Sequence, residues 1–492
     1  MMGVTESRGR DFSAFLERFP SYSDTAVLDD LRASEYARLD KGGHVYLDYT
    51  GGGLYAYSQI RNHAALLRDD VYGNPHSTNP SSLLMTRLIE ETREAILAFF
   101  NASRGEYDVI FTPNATGALK LVGESYPFDN QSRLVISSDN HNSVNGIREY
   151  AYSAGSQVEY LQLDEETLRF DVETVANILS NMDAGAKTSD VNAADTASAN
   201  GTNVNKLLAF PAQSNFSGVK HPLAIVEGAH ELGWDVLLDA AAFVPTNPLD
   251  LSMVHPDFVP ISFYKMFGYP TGVGCLLARK ETLHKLRRRW YAGGTTAFSS
   301  VKAYNGFFSG HYFLPSPSCF EDGTLNYLNI PAVKIGLELL TRCGLSVIGE
   351  RVMCLTEWLI DELLTLRHSN GMPLVRLYGP RGREGRGSTV LFNVLNENGD
   401  IISADAVMEQ ANLHNISLRT GCHCNPGARE AALHLGKDEL SRFLHDKDAL
   451  TLEEFLQRIE GETTGGIRVS FGIVSNFNDA ATLVDMLRAF AM

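Results

Sequence analysis

Short apolar runs, each followed by a polar turn rich in glycine, asparagine or proline, set the rhythm of the middle of the chain. Val109-Ile-Phe-Thr112 runs into Pro113-Asn-Ala-Thr-Gly117 and a helix beginning near Ala118. Leu134-Val-Ile136 leads to Asp139-Asn-His-Asn-Ser143, Leu207-Leu-Ala-Phe210 to Pro211-Ala-Gln-Ser-Asn-Phe-Ser-Gly218, and Val236-Leu-Leu238 to Asp239. Phe258 to Ile261 ends in a turn that carries Lys265, and a further apolar run, Val273 to Leu277, follows at once. Continuous apolar stretches of this length, bounded by turn residues, read as buried strands, and their alternation with helical patterns predicts an α/β fold with a mainly parallel sheet. In such a sheet the loops beyond the carboxyl ends of the strands form the ligand-binding edge. Polar residues therefore gather where a site is expected.

The flanks read differently. Phe12, Phe15, Leu16 and Phe19 recur at helical spacing, which predicts an N-terminal helical arm over residues 1–45. Tyr46-Leu-Asp48 reads as a short strand running into the glycine loop Tyr49-Thr-Gly-Gly-Gly53, and Tyr72 to Pro80 as irregular turns. Ser82 to Phe100 reads as a helix with Leu84, Leu88, Ile96, Phe99 and Phe100 on its apolar face. A large domain is expected over 46–330, interrupted at 181–205 by an exposed, disordered insertion almost without large apolar residues. A helix from Pro331 to Arg342 leads into a smaller domain over 331–492, with strands near Val390–Leu395 and Ile467–Phe471.

Composition narrows the function more than the fold. A formal charge of −17 argues against a nucleic-acid surface, which needs clustered Lys and Arg. No apolar run approaches the length needed to span a bilayer, and the N-terminal stretch has no apolar core of a secretory signal. Six cysteines in 492 residues make no disulfide framework, so a cytoplasmic enzyme is expected. Cys275, Cys319, Cys343 and Cys354 lie in or near apolar stretches and read as inert core thiols.

Several residues carry candidate chemistry. Lys265 is either an exposed lysine on a hairpin turn or a buried one, whose lowered pKa would free its amine for a carbonyl. Ser262 and Tyr264 beside it, and Asp239 at a neighbouring strand end, match the needs of pyridoxal phosphate: an amine for the aldehyde, an acid for the pyridine nitrogen. The strand-to-helix junction at Ala115 and Thr116 is a phosphate seat or a plain N-cap. His141 is a stacking partner for an aromatic cofactor or a solvated loop residue, and Asn215 a hydrogen-bond partner or a turn stabiliser. Arg419-Thr-Gly-Cys-His-Cys-Asn-Pro-Gly-Ala428 places Cys422 and Cys424 in an exposed loop. Its Cys-His-Cys spacing lacks the second pair of a zinc site, so no metal is expected, and His423 and Arg419 are expected to favour a reactive thiolate. Arg468, inside an apolar strand, calls for a substrate carboxylate or an internal salt bridge.

Taken in order, Tyr72-Gly-Asn-Pro-His-Ser77, Phe111-Thr-Pro-Asn-Ala-Thr-Gly-Ala118, Pro211 to Gly218, Asp257 to Lys265, Phe320-Glu-Asp-Gly-Thr324, Leu418 to Ala428 and Ile467-Arg-Val-Ser-Phe-Gly472 resemble one family over nearly the whole chain. It is that of the cysteine desulfurases on the class V aminotransferase fold, among them the desulfurase-like domain of eukaryotic molybdenum cofactor sulfurases. The resemblance implies the type I fold of pyridoxal phosphate transferases, with a large domain and a smaller α/β C-terminal one. It implies that Lys265 holds pyridoxal phosphate, with Asp239 on the ring nitrogen, His141 stacked on the ring and Asn215 near the phenolic oxygen. Ala115, Thr116, Ser262 and Tyr264 fall at the phosphate, and Thr295 where relatives reach into the partner subunit's phosphate site of a homodimer. Arg468, with Arg419 nearby, matches the residue that receives the carboxylate of L-cysteine. Cys424 matches the persulfide-forming cysteine, with Cys422 the lesser candidate, and sulfur would pass to molybdenum cofactor, a molybdoenzyme or a separate carrier. Tyr49-Thr50, Tyr264, Ala242 and Arg429 depart from the usual family residues, Arg429 replacing a third loop cysteine. The sequence stops soon after Arg468, so the C-terminal cofactor-binding domain of full-length cofactor sulfurases is not expected within it. The alternatives are another class V reaction that does not use the cysteine, such as an epimerase, lyase or transaminase, and a non-catalytic scaffold.

Overall fold

The computed structural model of the protein describes residues 11–189, 204–302, 310–436 and 465–491. Seven strands form the larger sheet: β1 (Tyr107–Thr112), β2 (Arg133–Ser137), β3 (Gln157–Leu161), β4 (Lys206–Pro211), β5 (Asp235–Asp239), β6 (Phe258–Ser262) and β7 (Gly274–Arg279). Their spatial order is β1-β7-β6-β5-β4-β2-β3. Only β7 runs against its neighbours, and the other pairings are parallel. The apolar runs are strands because both faces are covered: Leu134 to Ile136, Leu207 to Phe210 and Val236 to Leu238 are all fully buried. One strand, β3, was not legible as an apolar run. It lies at the sheet edge and alternates exposed Gln157 and Glu159 with half-buried Val158 and Tyr160.

Pro260 sits inside β6 and has no N–H to give to a ladder. Pairing between β5 and β6 is confined to Leu237–Phe258. The carboxyl ends of these two strands are thus left unjoined where Asp239 and the Lys265 turn stand, and Lys265 lies on the short helix Phe263–Phe267 that follows β6 directly. This opening in the sheet is the crevice that an α/β fold offers a ligand.

The helices α1 (Pro80–Phe99) and α2 (Ala115–Ser125) match the helical patterns, with two shifts. The buried face of α1 is Met85, Ile89, Ile96 and Leu97 rather than Leu84 and Leu88, one position round the helix. α2 begins at Ala115, not near Ala118, because Asn114 caps it by accepting from the Gly117 N–H at 3.0 Å. The expected insertion at 181–205 is corrected in its first part. Helix α3 (Val172–Ser189) runs through residues 181–189, its apolar face extended by Val175, Leu179 and Met182 at helical spacing, and 190–203 lie outside the described residues.

Helices α4 (Ile330–Cys343) and α5 (Leu345–Thr365) lead to a four-stranded antiparallel sheet: β8 (Val375–Tyr378), β9 (Thr389–Val394), β10 (Arg419–Gly421) and β11 (Gly466–Ser470), in the order β8-β9-β11-β10. The N-terminal residues join this smaller sheet rather than the larger one. Val45–Tyr46 pair in parallel with Ile416–Ser417, and Asp48 bridges to Ser470. Phe15, Phe19 and Tyr22 of the arm are buried in the same core as Leu355, Leu359 and Phe477.

Candidate active site

Five loops from the carboxyl ends of β1, β2, β4, β5 and β6 meet β10 and β11 of the smaller sheet, and every expected site residue except Thr295 lies in this region. Lys265 is half-buried at the crevice. Burial lowers its pKa first, Arg468 and Arg419 lower it further, and Asp239 and Asp48 work in the opposite sense. Among the described residues its amine has no hydrogen-bond or ion-pair partner. The lysine stands half-buried on a short helix rather than exposed on a hairpin turn. Asp239 accepts only the Ala241 N–H through one oxygen, at 3.0 Å, which leaves its carboxylate largely unspent.

His141 caps the short helix behind β2, its Nδ1 accepting from the Ser143 N–H at 3.1 Å. Nε2 therefore carries the proton of the neutral ring. Burial, more than the nearby Lys265 and Arg468, lowers its pKa, and Asp239 partly offsets this. At the α2 junction the Ala115 N–H donates to Ser262 Oγ at 2.9 Å, and Thr116 Oγ1 lies 2.8 Å from Ser143 Oγ. A Cβ on Gly274 would come within 2.5 Å of the Ile261 carbonyl and 2.6 Å of Asn114 Cα, so only glycine lets β7 start this close to the junction. Tyr264 is turned another way. Its ring lies over Gly52, within electrostatic reach of Arg419 and Asp48, and burial raises its pKa.

The side that carries Arg419 and Arg468 contains a residue that sequence reasoning missed. Asp48 lies between both arginines: it accepts from Arg419 Nη2 at 2.7 Å and Nε at 3.0 Å, and from Arg468 Nη2 at 3.0 Å. Arg468 is almost wholly buried, also donates to the Asn215 carbonyl at 2.9 Å, and keeps a buried Nε without a partner. Its alternative reading, the internal salt bridge, is thus realised, yet two guanidiniums share one carboxylate and a positive charge remains. Gly51 makes room for the trio, since a Cβ there would lie 2.5 Å from Asp48 Oδ2 and Arg419 Nη2. The glycine loop has a second duty: the Gly53 N–H donates to the Tyr264 carbonyl at 3.0 Å, backbone against the lysine turn.

The cysteine loop is exposed at Cys422 and Cys424, as expected, but it is anchored between them. His423 and Cys424 both take left-handed backbone conformations, φ +53° and +56°, which non-glycine residues adopt at a cost. The Asn142 N–H donates to the Cys424 carbonyl at 2.7 Å. Asn215 grips the loop at two points, donating from Nδ2 to the His423 carbonyl at 2.8 Å and accepting from Asn425 Nδ2 at 3.0 Å. The expectation that His423 is a positive neighbour is corrected. Its ring is buried, Nε2 faces the Gly466 carbonyl at 3.2 Å, and burial next to Arg468 drives its pKa to about 2, so it is neutral. Positive charge reaches Cys424 from Arg468 instead. Among the described residues no three His, Cys, Asp or Glu side chains converge as metal ligands.

Thr295 is buried in its own loop, where its hydroxyl donates to the Ala292 carbonyl at 2.8 Å and accepts from the Ala292 N–H at 3.0 Å. None of its recorded bonds reaches the Lys265 cluster. The remaining cysteines behave as core thiols: burial raises the pKa of Cys275, Cys319, Cys343 and Cys354, that of Cys319 to about 11.

The chemistry of this donor set is that of a free amine, an open carboxylate and a helix N-terminus at one crevice, with two arginines and a thiol on the facing loop. An anionic aldehyde cofactor and an amino acid's carboxylate both fit it. A model of the aminotransferase class-V family matches residues 45–193 and 187–483. The molybdenum cofactor sulfurase of Homo sapiens is 35% identical over 97% of this chain and that of Solanum lycopersicum 36% over 96%. The chain spans 54% and 59% of those two proteins, a little over half of each. Among solved structures, an apo cysteine desulfurase from Thermococcus onnurineus NA1 superposes with a TM-score of 0.73 at 21% identity, covering 94% of this chain and 97% of that one. A cysteine desulfurase from Escherichia coli gives 0.68 at 20%, covering 94% and 98%.

Proposed function

The chain belongs to the aminotransferase class-V family, and from that premise we propose that it is a pyridoxal phosphate-dependent L-cysteine desulfurase that loads sulfur onto Cys424. The observation that carries this reading is the meeting of Lys265, Asp239 and His141 with Arg468 and Cys424 at one crevice. A sequence similarity to molybdenum cofactor sulfurases over nearly the whole chain supports the sulfur-transfer class.

Lys265 would hold the cofactor's aldehyde carbon, Asp239 its ring nitrogen, His141 its ring face and Asn215 its phenolic oxygen. Ser262, Ala115 and Thr116, at the N-terminus of α2, would hold its phosphate, with Tyr264 at the outer side of the lysine turn. When bound, the cofactor supplies an electron sink for charge that develops on the substrate's α-carbon. Arg468 and Arg419 receive the substrate carboxylate, and Asp48 keeps both guanidiniums in place before it arrives. Once the substrate's amine has taken its place, the Lys265 amine, its pKa lowered by burial, would take the α-proton. Cys424 attacks the substrate's sulfur; an S–S bond forms, the Cβ–S bond breaks, and its electron pair remains with the carbon fragment. Proton delivery to that fragment, with the His141 Nε2–H as the proposed donor, completes L-alanine and leaves a persulfide on Cys424.

The acceptor of that sulfur we take to be molybdenum cofactor or a protein that carries it. Thr295 would serve the partner subunit's phosphate site in a homodimer. Free cysteines, two of them exposed, suit the reducing cytoplasm. Among the described residues no helix is long and apolar enough to cross a membrane.

The test compares the wild type with Cys424→Ala in release of alanine and sulfide from L-cysteine under a reductant, together with visible absorbance. Both proteins should be yellow and only the wild type active. Equal activity of the two would remove the persulfide step and leave the class V alternatives.

A further inference from the structure

One buried carboxylate belongs to none of the steps above. Asp139 follows β2, two residues before His141, and its side chain is completely buried. Its Oδ1 accepts from Ser214 Oγ and from Asn425 Nδ2, each at 2.7 Å, and its Oδ2 faces His221 Nε2 at 2.8 Å. His221 is itself completely buried and stacked flat on Phe170, with ring centroids 3.9 Å apart.

Asp139 and its partners lie on three separate loops, Ser214 and His221 sharing one of them. Ser214 precedes Asn215, Asn425 follows Cys424, and Asp139 is on the loop of His141. A carboxylate only accepts, so each partner must present a hydrogen to it. That requirement fixes the Asn425 amide with Nδ2 inward and Oδ1 outward, where it accepts the Ala428 N–H and caps the helix Pro426–Ala432. The same Nδ2 reaches Asn215 Oδ1 at 3.0 Å, and Asn215 in turn holds the His423 carbonyl. The two left-handed residues, His423 and Cys424, are thereby clamped from both sides, which is what a strained backbone needs in order to persist.

We propose that Asp139 is the positioning residue of the sulfur-accepting cysteine: through Asn425 and Ser214 it locks the Cys424 loop onto the loops of His141 and Asn215. The inference rests on the reading of Cys424 as sulfur acceptor. It works by hydrogen-bond geometry rather than by charge at the reacting atoms. Asp139→Asn can preserve it, because Oδ1 still accepts from Ser214 and Asn425 while Nδ2 faces a neutral His221 tautomer. Asp139→Ala and Asn425→Ala cannot.

The experiment has two arms, on purified full-length chains. The first follows amide hydrogen exchange without added cofactor or cysteine. Asn425→Ala and Asp139→Ala should speed exchange about tenfold, the size of a lost charge-assisted hydrogen bond, in the 139–145, 213–218 and 421–430 segments. Exchange in the helix Leu345–Thr365 should stay as in the wild type, and Asp139→Asn should resemble the wild type throughout. The second arm follows the absorbance change on adding L-cysteine and the persulfide on the Cys424 peptide. Asn425→Ala should keep the absorbance change and lose about nine-tenths of the persulfide, while Asp139→Asn keeps both. Unchanged exchange in those loops for Asn425→Ala, or Asp139→Asn as damaging as Asp139→Ala, would overturn the proposal. A wild type that carries no persulfide at Cys424 would sink the desulfurase reading, and the exchange arm would still decide whether Asp139 locks the loop.

Discussion

Burial acts on two basic residues of the crevice: it lowers the pKa of Lys265, and it keeps His423, next to Cys424, neutral. The histidine has a consequence for stability. Its pKa is about 2 in the folded chain against an ordinary 6.5, so in that window the unfolded chain binds the extra proton. Its contribution is therefore intact above the ordinary value and is lost as pH falls below it. Going from about pH 7.5 to about pH 5.5 should cost the wild type roughly 1 kcal/mol more than His423→Asn, whose amide can still donate to Gly466. Urea unfolding of both proteins at the two pH values measures this, and parallel losses would rule out the buried neutral ring. Lys265, Asp239 and Arg468 were legible because each interrupts or ends an apolar strand. His423 was not, since its neighbours Gly421, Asn425 and Pro426 read as an exposed turn. Asp48 was hidden for a different reason: its partners lie 371 and 420 residues away, and no local pattern records such a pairing.

Among the elements, the glycine that opens β7 has the sharpest geometric demand. Gly274→Ala would push a methyl group into the Ile261 carbonyl and the Asn114 backbone, both of them parts that cannot swing aside. The expected result is a loss of about 1–3 kcal/mol in unfolding free energy and weaker retention of pyridoxal phosphate, since Asn114 caps the helix proposed to hold its phosphate. Thermal unfolding with and without added cofactor separates the two effects; an unaltered gap between the two curves would detach β7 from the phosphate seat. The strands β1, β2, β4, β5 and β6 were readable because burial on both faces gives continuous apolar runs. The edge strand β3 lacks that signature. In α1 the pattern gave the right helix, with Ile96 and Phe100 buried as read, while Met85 and Ile89 are buried in place of Leu84 and Leu88, because these adjacent positions are all apolar and only packing chooses between them.

For the molecule as a whole, the N-terminal arm is bolted to the C-terminal helix by a buried ion pair. Arg32 donates to Asp479 at 2.6 Å, with both side chains almost fully buried, and to the Val474 carbonyl at 2.7 Å. Burial already raises the Asp479 pKa, and Arg32 is what holds it down. Arg32→Ala leaves that carboxylate buried and unpaired, for an expected loss of about 3–5 kcal/mol. Chemical denaturation should show it as a lower midpoint with an unchanged slope, whereas a shift under about 1 kcal/mol would mean that the arm is held by its aromatic contacts alone.

The pairing of Asp48 with Arg468 also fixes when the protein can begin to work. During synthesis Asp48 leaves the ribosome 420 residues ahead of its partner, an interval of about 20–80 s at usual elongation rates. The larger sheet, with Lys265 and Asp239, is complete well before then. A growing chain can thus assemble the crevice of Lys265 and Asp239 while still lacking Arg468, the residue proposed to grip an amino acid. On the proposed reading, sulfur is not cleaved from cysteine until Arg468 has emerged to meet Asp48.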